Sequence, residues 1–216
     1  MKSLLVLKRM IIFAKLSFKS RYDFDTMKHL YIIAGCNGAG KTTASMTILP
    51  KSLLVKEFVN ADEIAKGISP FNPEGVAIEA GRLMLERIDY LLAKGESFSI
   101  ETTLATRSYV SLVRKASRLG YLVHLIYFWL NSPQLAVDRV AERVSKGGHN
   151  IPYDVILRRY SKGIGNLFKL FMKEVDIWVI YDNSQYQRER IAFGGKSIET
   201  KINDNNKYKF IKSYVK

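Results

Sequence analysis

Cysteine is all but missing from this 216-residue chain, and the single one, Cys36, excludes an intrachain disulfide. That usage fits a reducing, cytoplasmic compartment. Long apolar runs are missing too. The N-terminus, MKSLLVLKRMIIFAKLSF, has the flavour of a signal peptide, but Lys8, Arg9 and Lys15 divide it. The remaining pieces are too short for a signal core or a transmembrane segment. A weakly amphipathic helix on a membrane surface is the alternative for that stretch. No internal repeat and no low-complexity linker divides the chain, so its length suits one α/β domain with a full core. Acidic residues are scarce: 20 Asp and Glu face 34 Lys and Arg, for a net charge of +14. The excess sits at the ends. Residues 1–28 hold seven Lys/Arg against two Asp, and residues 185–216 hold eight against three acids. A nucleic-acid binder more often carries its excess on the folded body. Nucleic acid is therefore disfavoured, and solvated basic tails or a weak anionic partner remain.

Short apolar runs alternate with helical patterns. HLYIIAG reads as a strand that turns at Gly35, and KTTASMTILP as a helix closed by Pro50. LLVKEFVNAD reads as a strand ending on Asp62. NPEGVAIEAGRLMLERIDYLLAKG reads as a helix that Asn72 caps, Pro73 opens and Gly95 ends. Its Val76, Ala80, Leu83, Met84, Ile88, Leu91 and Leu92 share one face. SFSIETT is a strand ending on Glu101, RSYVSLVRKASRLG a helix, and YLVHLIYFWL a continuous apolar run of the kind covered on both faces. SPQLAVDRVAERVSKGG and IPYDVILRRYSKGIGNLFKLF are two further helices, and DIWVIYDNS is another strand. The order predicts a mainly parallel sheet with right-handed crossovers. The last segment, from Arg190, alternates and turns at Gly194-Gly195. It predicts an antiparallel hairpin on one edge or a loose tail.

Gly35-Cys36-Asn37-Gly38-Ala39-Gly40-Lys41-Thr42 matches G-x-x-x-x-G-K-[ST], with Thr43 following, and lies between a strand and a helix as that motif requires. The backbone N–H groups of Gly35, Asn37, Gly38, Ala39 and Gly40 would turn toward phosphate oxygens, helped by the helix N-terminus. Lys41 would reach the β- and γ-phosphates of ATP, and the Thr42 hydroxyl would bind Mg²⁺. Cys36 is a spacer in this motif and not a nucleophile.

In open α/β sheets, ligands bind beyond the carboxyl ends of the strands. Asp62, within NADE, and Glu101, within IETT, are the acidic residues expected there. Phosphoryl transfer to a hydroxyl needs one carboxylate to orient the nucleophile and accept its proton. A second can serve Mg²⁺ or substrate. A helix cap or exposed loop acid is the bland alternative for each. Arg139 and Arg143 are four apart on one helix, followed by the glycine loop SKGGHNIP and by Arg158 and Arg159. This arrangement predicts a helical lid over the γ-phosphate, with a solvated charged helix as the alternative. His124, inside an apolar strand, reads as a core histidine, while His149 lies in the glycine loop.

No apolar strand ends in Asp-Glu and no LSGGQ-like segment is present, as an ABC-type ATPase requires; nor is there an N-K-x-D motif, as a small GTPase requires. What remains is a compact kinase. The segments IIAGCNGAGKTT, VNADEIA, AGRLMLERI, SFSIETTLATRSY, RVAERVSKGGHNIPYDVILRRY and YDNS resemble those of the zeta-toxin-like P-loop kinases over roughly residues 28–193. The resemblance is to the shorter branch of that family. It implies a P-loop NTPase three-layer sandwich similar to the nucleoside-monophosphate-type kinases, with a helical lid. The best-studied members use ATP and Mg²⁺ to phosphorylate the sugar of UDP-N-acetylglucosamine, and a small antitoxin blocks them.

By position, the resemblance assigns phosphate and Mg²⁺ binding to Lys41 and Thr42, and the base to Asp62. It assigns the nucleotide-sugar to Glu101 and Thr103, and the γ-phosphate to Arg143, with Arg139 beside it on the lid. It departs at a second lid arginine, which falls near His149 unless Arg158 or Arg159 takes the role. It departs again at an acidic substrate residue, which falls at Leu85 or Glu86, with Arg82 as a compensating substrate contact. The resemblance gives a kinase domain over 28–193, and the charge and strand pattern add a basic extension over 1–27, with Met27 as the start of the fold, and a basic hairpin or tail over 194–216.

Overall fold

The computed structural model describes residues 26–48, 55–148, 150–185 and 187–215. The expectations for the extension before residue 26, for Pro50 as a helix stop and for His149 lie outside these residues.

The chain forms β1 (Lys28–Gly35), α1 (Lys41–Ile48), β2 (Glu57–Val59), α2 (Ala61–Ile68) and a 3₁₀ turn at Pro73–Val76 that leads into α3 (Ala77–Lys94). Then follow β3 (Phe98–Thr102), α4 (Tyr109–Arg118), β4 (Tyr121–Trp129), α5 (Pro133–Ser145) and α6 (Tyr153–Asn166), which continues as a π turn over Leu167–Phe171. The remaining elements are β5 (Ile177–Asp182), β6 (Glu189–Gly195), β7 (Ile198–Ile202) and α7 (Asn205–Ser213). One seven-stranded sheet runs in the order β2-β3-β1-β4-β5-β6-β7. The first five strands are parallel, and β6 and β7 are antiparallel additions at one edge.

The middle of the sheet explains the layers. All nine residues of β4 are buried, as are all residues of β1 after Lys28. Successive strand residues point to opposite faces, so both faces are covered, and the apolar runs in the sequence are the result. No helix of the described residues is long and apolar enough to cross a membrane.

Helix starts follow the sequence signals. Ser132 Oγ accepts the Leu135 N–H, and Asn72 Oδ1 accepts the Gly75 N–H, each satisfying a donor that a helix start leaves free. Gly95 closes α3 in the left-handed conformation. Several expectations need correction. β2 stops at Val59, and Asp62 belongs to the first turn of α2, with its N–H bound to Asn60 Oδ1 at 2.9 Å. The short polar run Asn60-Ala61-Asp62 caps a helix more readily than it extends a strand. Leu83 is exposed although Ala80, Met84, Ile88, Leu91 and Leu92 are buried, because it lies on the flank of that face. The hairpin turns after Gly195, and β6 continues through Gly194 with a register shift against β7 between Phe193 and Gly195.

No sequence signal marked α7. Its segment KYKF alternates with period two, like a strand, yet Ile211 is buried and Tyr208 and Tyr214 are partly buried at helical spacing. Asp204 Oδ1 accepts the Lys207 N–H at 2.9 Å and starts the helix.

Candidate active site

Strand register brings the site together. In the parallel pair of β1 and β3, Ile33 lies opposite Glu101 and Ala34 opposite Thr102; in β2 and β3, Val59 lies opposite Ile100. The P-loop after β1, Glu101 on β3 and Asp62 beyond β2 therefore open at one level, at the carboxyl ends of adjacent strands.

The loop from Gly35 to Lys41 closes on itself through Ala39 N–H to Cys36 O at 3.2 Å. Gly38 and Gly40 have φ of +75° and +76°, where a side chain would be strained. Each is also crowded from outside. A Cβ on Gly38 would stand 2.8 Å from Ala136 O, and one on Gly40 would stand 2.7 Å from Asn183 Nδ2. The helix α5 and the turn after β5 thus press directly on the phosphate loop.

Lys41 Nζ donates to Cys36 O at 3.0 Å and lies 3.7 Å from Glu101 Oε1. The Thr42 hydroxyl lies 3.0 Å from both Glu101 oxygens. The Lys41 and Glu101 side chains are only 7% and 8% exposed. Burial pushes the Glu101 carboxyl above its ordinary value, against the pull of Lys41 and Thr42 and with help from the nearby Asp62 and Glu63. Thr43 is exposed in the first turn of α1. Burial also pushes the Cys36 thiol up to about 11, which agrees with a spacer.

A cavity of about 180 Å³ joins these groups, lined by Asn37, Lys41, Asp62, Glu101, Thr103 and Arg159 among others. A second, of about 310 Å³, shares Asp62 and Arg159 and adds Lys66, Asn150 and Arg158. Asp62 and Arg159 stand where the two chambers meet. Arg159 Nη1 donates to Asn37 Oδ1 of the P-loop at 3.3 Å. Burial lowers its guanidinium pKa, and Asp62 opposes that shift.

The basic residues divide differently from the sequence expectation. Arg159, weighed as a substitute, is held against the P-loop, and Arg158 lines the larger chamber. Arg139 gives Nη1 to Asn183 O at 2.8 Å and Nη2 to Ser184 O at 2.9 Å. It pins a turn and does not face the cavity. Arg143 is exposed on the last turn of α5, where its carbonyl accepts the Gly148 N–H. Arg82 is exposed, about 200° around α3 from Met84, which lines the cavity. His124 is a core residue, its Nε2 3.1 Å from His29 Nδ1. Arg159 had a legible signal, since Ile156, Arg159, Tyr160, Gly163 and Ile164 form one helical stripe. A charge in such a stripe is costly without a purpose. Asn183 carried no periodic signal at all.

With the geometry established, comparison gives its relatives. Residues 15–190 match the family model of the zeta toxins, beginning ahead of Met27. An uncharacterised protein of Haemophilus influenzae is 32% identical over 126 residues, which is 58% of this chain and 88% of that protein. The crystal structure of AvrRxo1-ORF1:AvrRxo1-ORF2 with sulphate ions superposes with a TM-score of 0.72 at 16% identity, covering 99% of this chain and 72% of that one. The same pair with ATP gives 0.71 at 17% identity, covering 99% and 71%. A structure from the PezAT toxin–antitoxin system of Streptococcus pneumoniae gives 0.60 at 16% identity, covering 89% and 81%. These likenesses establish the P-loop kinase fold, and with a family match over most of its length, the chain belongs to the zeta toxin family.

Proposed function

We propose that this protein is an ATP- and Mg²⁺-dependent kinase of the zeta toxin type. The acceptor is a hydroxyl of a small nucleotide-sugar, with UDP-N-acetylglucosamine the leading candidate. The observation that carries this reading is the convergence of Lys41, Asp62, Glu101 and Arg159 on one cleft at the mouth of the phosphate loop. Its placement at the carboxyl ends of parallel strands is the usual one for a ligand site.

In this reading the loop amides and Lys41 hold the ATP phosphates. Asp62 accepts the proton of the attacking hydroxyl. The new O–Pγ bond forms as the bond from Pγ to the β–γ bridging oxygen breaks, and ADP leaves. Arg159, at the cavity wall, offsets charge on the moving phosphoryl group, and Arg143 takes the lid role the family resemblance gives it. The Thr42 hydroxyl and the Glu101 carboxylate beside it are hard oxygen donors of the kind that would hold Mg²⁺. When bound, that ion neutralises charge on the β- and γ-phosphates. Thr103, which lines the cavity, contacts the acceptor in this reading. Arg139 bonds the turn at Asn183–Ser184 and Arg82 lies away from the cleft, so neither has a catalytic part in this reading. The PezAT neighbour is part of a toxin–antitoxin system, which supports a small antitoxin as partner.

The test is incubation with ATP, Mg²⁺ and a panel of nucleotide-sugars, nucleosides and free sugars, read by mass. A UDP-sugar should gain one phosphoryl group, and Lys41→Ala and Asp62→Ala should abolish the gain. Wild-type turnover by Asp62→Ala would remove the assigned base.

A further inference from the structure

The helix α7 is anchored at the site end of the sheet. Ile211 is buried, Phe210 packs edge-on to Trp129 at the end of β4, and Tyr214 packs edge-on to Tyr160 of α6. From this helix Lys207 Nζ reaches Asp182 Oδ2 at 2.8 Å and Glu189 Oε2 at 2.6 Å. Asp182 is the last residue of β5 and is 5% exposed. Its other oxygen accepts both the N–H and the hydroxyl of Ser184. Burial works to raise the Asp182 pKa, yet the Lys207 and Ser184 bonds outweigh it and hold the carboxyl below its ordinary value.

These bonds fold 182–184 into a turn with Asn183 at its centre. Asn183 donates its N–H to Trp129 O at 2.9 Å, and its carbonyl accepts Arg139. Its Oδ1 accepts Arg188 Nε at 2.9 Å, and its Nδ2 donates to Ala39 O at 2.7 Å. The Arg188 contact fixes which end of the amide is the donor, so the side chain can meet the loop in one way only. In a trans peptide the C=O and the following N–H point in opposite directions. Holding the Ala39 carbonyl outward therefore turns the Gly40 N–H toward the hollow of the loop.

We propose that Lys207, Asp182 and Asn183 are positioning residues for the nucleotide: the C-terminal helix sets the shape of the phosphate loop, and with it the affinity for ATP, through the bonded chain Lys207–Asp182–Ser184 and Asn183–Ala39. The proposal rests on the reading of this loop as the ATP site. A contiguous network of this kind couples its ends with modest energies. The expected effects are correspondingly several-fold.

The experiment is a titration of the full chain with fluorescent mant-ATP in the presence of Mg²⁺. Lys207→Met should weaken binding about three- to tenfold. Asn183→Asp, which keeps the size but replaces the donor with a carboxylate, should weaken it about tenfold or more. Lys207→Arg should bind within about twofold of wild type, because the cation is kept. Lys209→Met, exposed on the same helix, removes the same charge and should change nothing. In the transfer assay, Lys207→Met should raise KM for ATP and leave kcat at saturating ATP within about twofold. If Lys207→Met and Asn183→Asp lower Tm but bind mant-ATP as wild type does, well below their melting points, the coupling is absent and α7 only stabilises the fold. If the wild type itself binds no ATP, the reading of the loop fails and takes this proposal with it.

Discussion

Gly163 lies in α6, one turn beyond Arg159, and Gly163→Ala asks whether the cleft depends on where that helix sits. Helix propensity alone favours alanine by about 1 kcal/mol. The added Cβ would stand 2.6 Å from the Thr103 carbonyl oxygen, whereas ordinary contact begins at 3.4 Å. A backbone oxygen cannot swing aside as a side chain can, so α6 and the segment after β3 must part by about 0.8 Å. Overpacking of this kind costs about 1–3 kcal/mol. Offset by the propensity gain, the net loss of stability is about 0–2 kcal/mol. The effect on rate should be larger. Arg159 and Thr103 sit on the two pieces that separate, and a misplacement near 1 Å can cost about a hundredfold. We expect phosphoryl transfer from ATP to fall about ten- to a hundredfold while the protein still melts cooperatively. Gly165→Ala is the internal control. Its Cβ would meet nothing within 4 Å, so it should gain up to about 1 kcal/mol and keep its rate. The assays are thermal melting and initial rates for both variants. A Gly163→Ala protein with a raised Tm and a wild-type rate would refute the idea that this close approach places Arg159.

Three further outcomes follow from the site. Because burial raises the Glu101 pKa above its unfolded value, the stability tied to its proton is full below the unfolded pKa, about 4.3, and is lost as pH rises through the folded value. Glu101→Gln lacks that loss, so its urea midpoint should gain on wild type as pH rises above about 4.3, while transfer activity falls; a constant gap would contradict the assigned burial penalty. Arg159→Ala should lower kcat by about a hundredfold or more, and Arg143→Ala by less; the reverse order would return the main role to the lid. The Cys36 thiol, buried and pushed up to about 11, should stay unlabelled by iodoacetamide at about pH 8 in the native protein and react once urea unfolds it, as intact mass would show.

Much of the fold is local and therefore legible. The apolar runs of β1 and β4 can only be strands covered on both faces. Ser132 and Asn72 mark helix starts through bonds within three residues of themselves. The motif of the phosphate loop is local in the same way, because its glycines and lysine are contiguous in the chain, although the contacts that brace it from Ala136 and Asn183 are not. Where local signals compete, the reading slips. Asp62 looked like the end of a strand because Phe58 and Val59 precede it, but the Asn60 side chain begins a helix there. In the last segment, lysines alternating with aromatics gave a period of two, and the helix won only because Phe210 and Tyr214 find Trp129 and Tyr160.

By itself the sequence marked the phosphate-loop motif at Gly35–Thr42, the carboxylates that follow the neighbouring strands, and a mainly parallel sheet, since each of these is carried by residues close together in the chain. Tertiary structure decided the partners of the cations. The helical stripe singles out Arg159 among Arg139, Arg143, Arg158 and Arg159, but only the packing of α5 and α6 brings it to Asn37 and sends Arg139 to the turn at Asn183. The same holds for Lys207, a surface lysine in the sequence, which acquires a buried carboxylate partner 25 residues away in the chain. Contacts of that range depend on how helices close over the finished sheet, and no local pattern of charge or hydropathy encodes them.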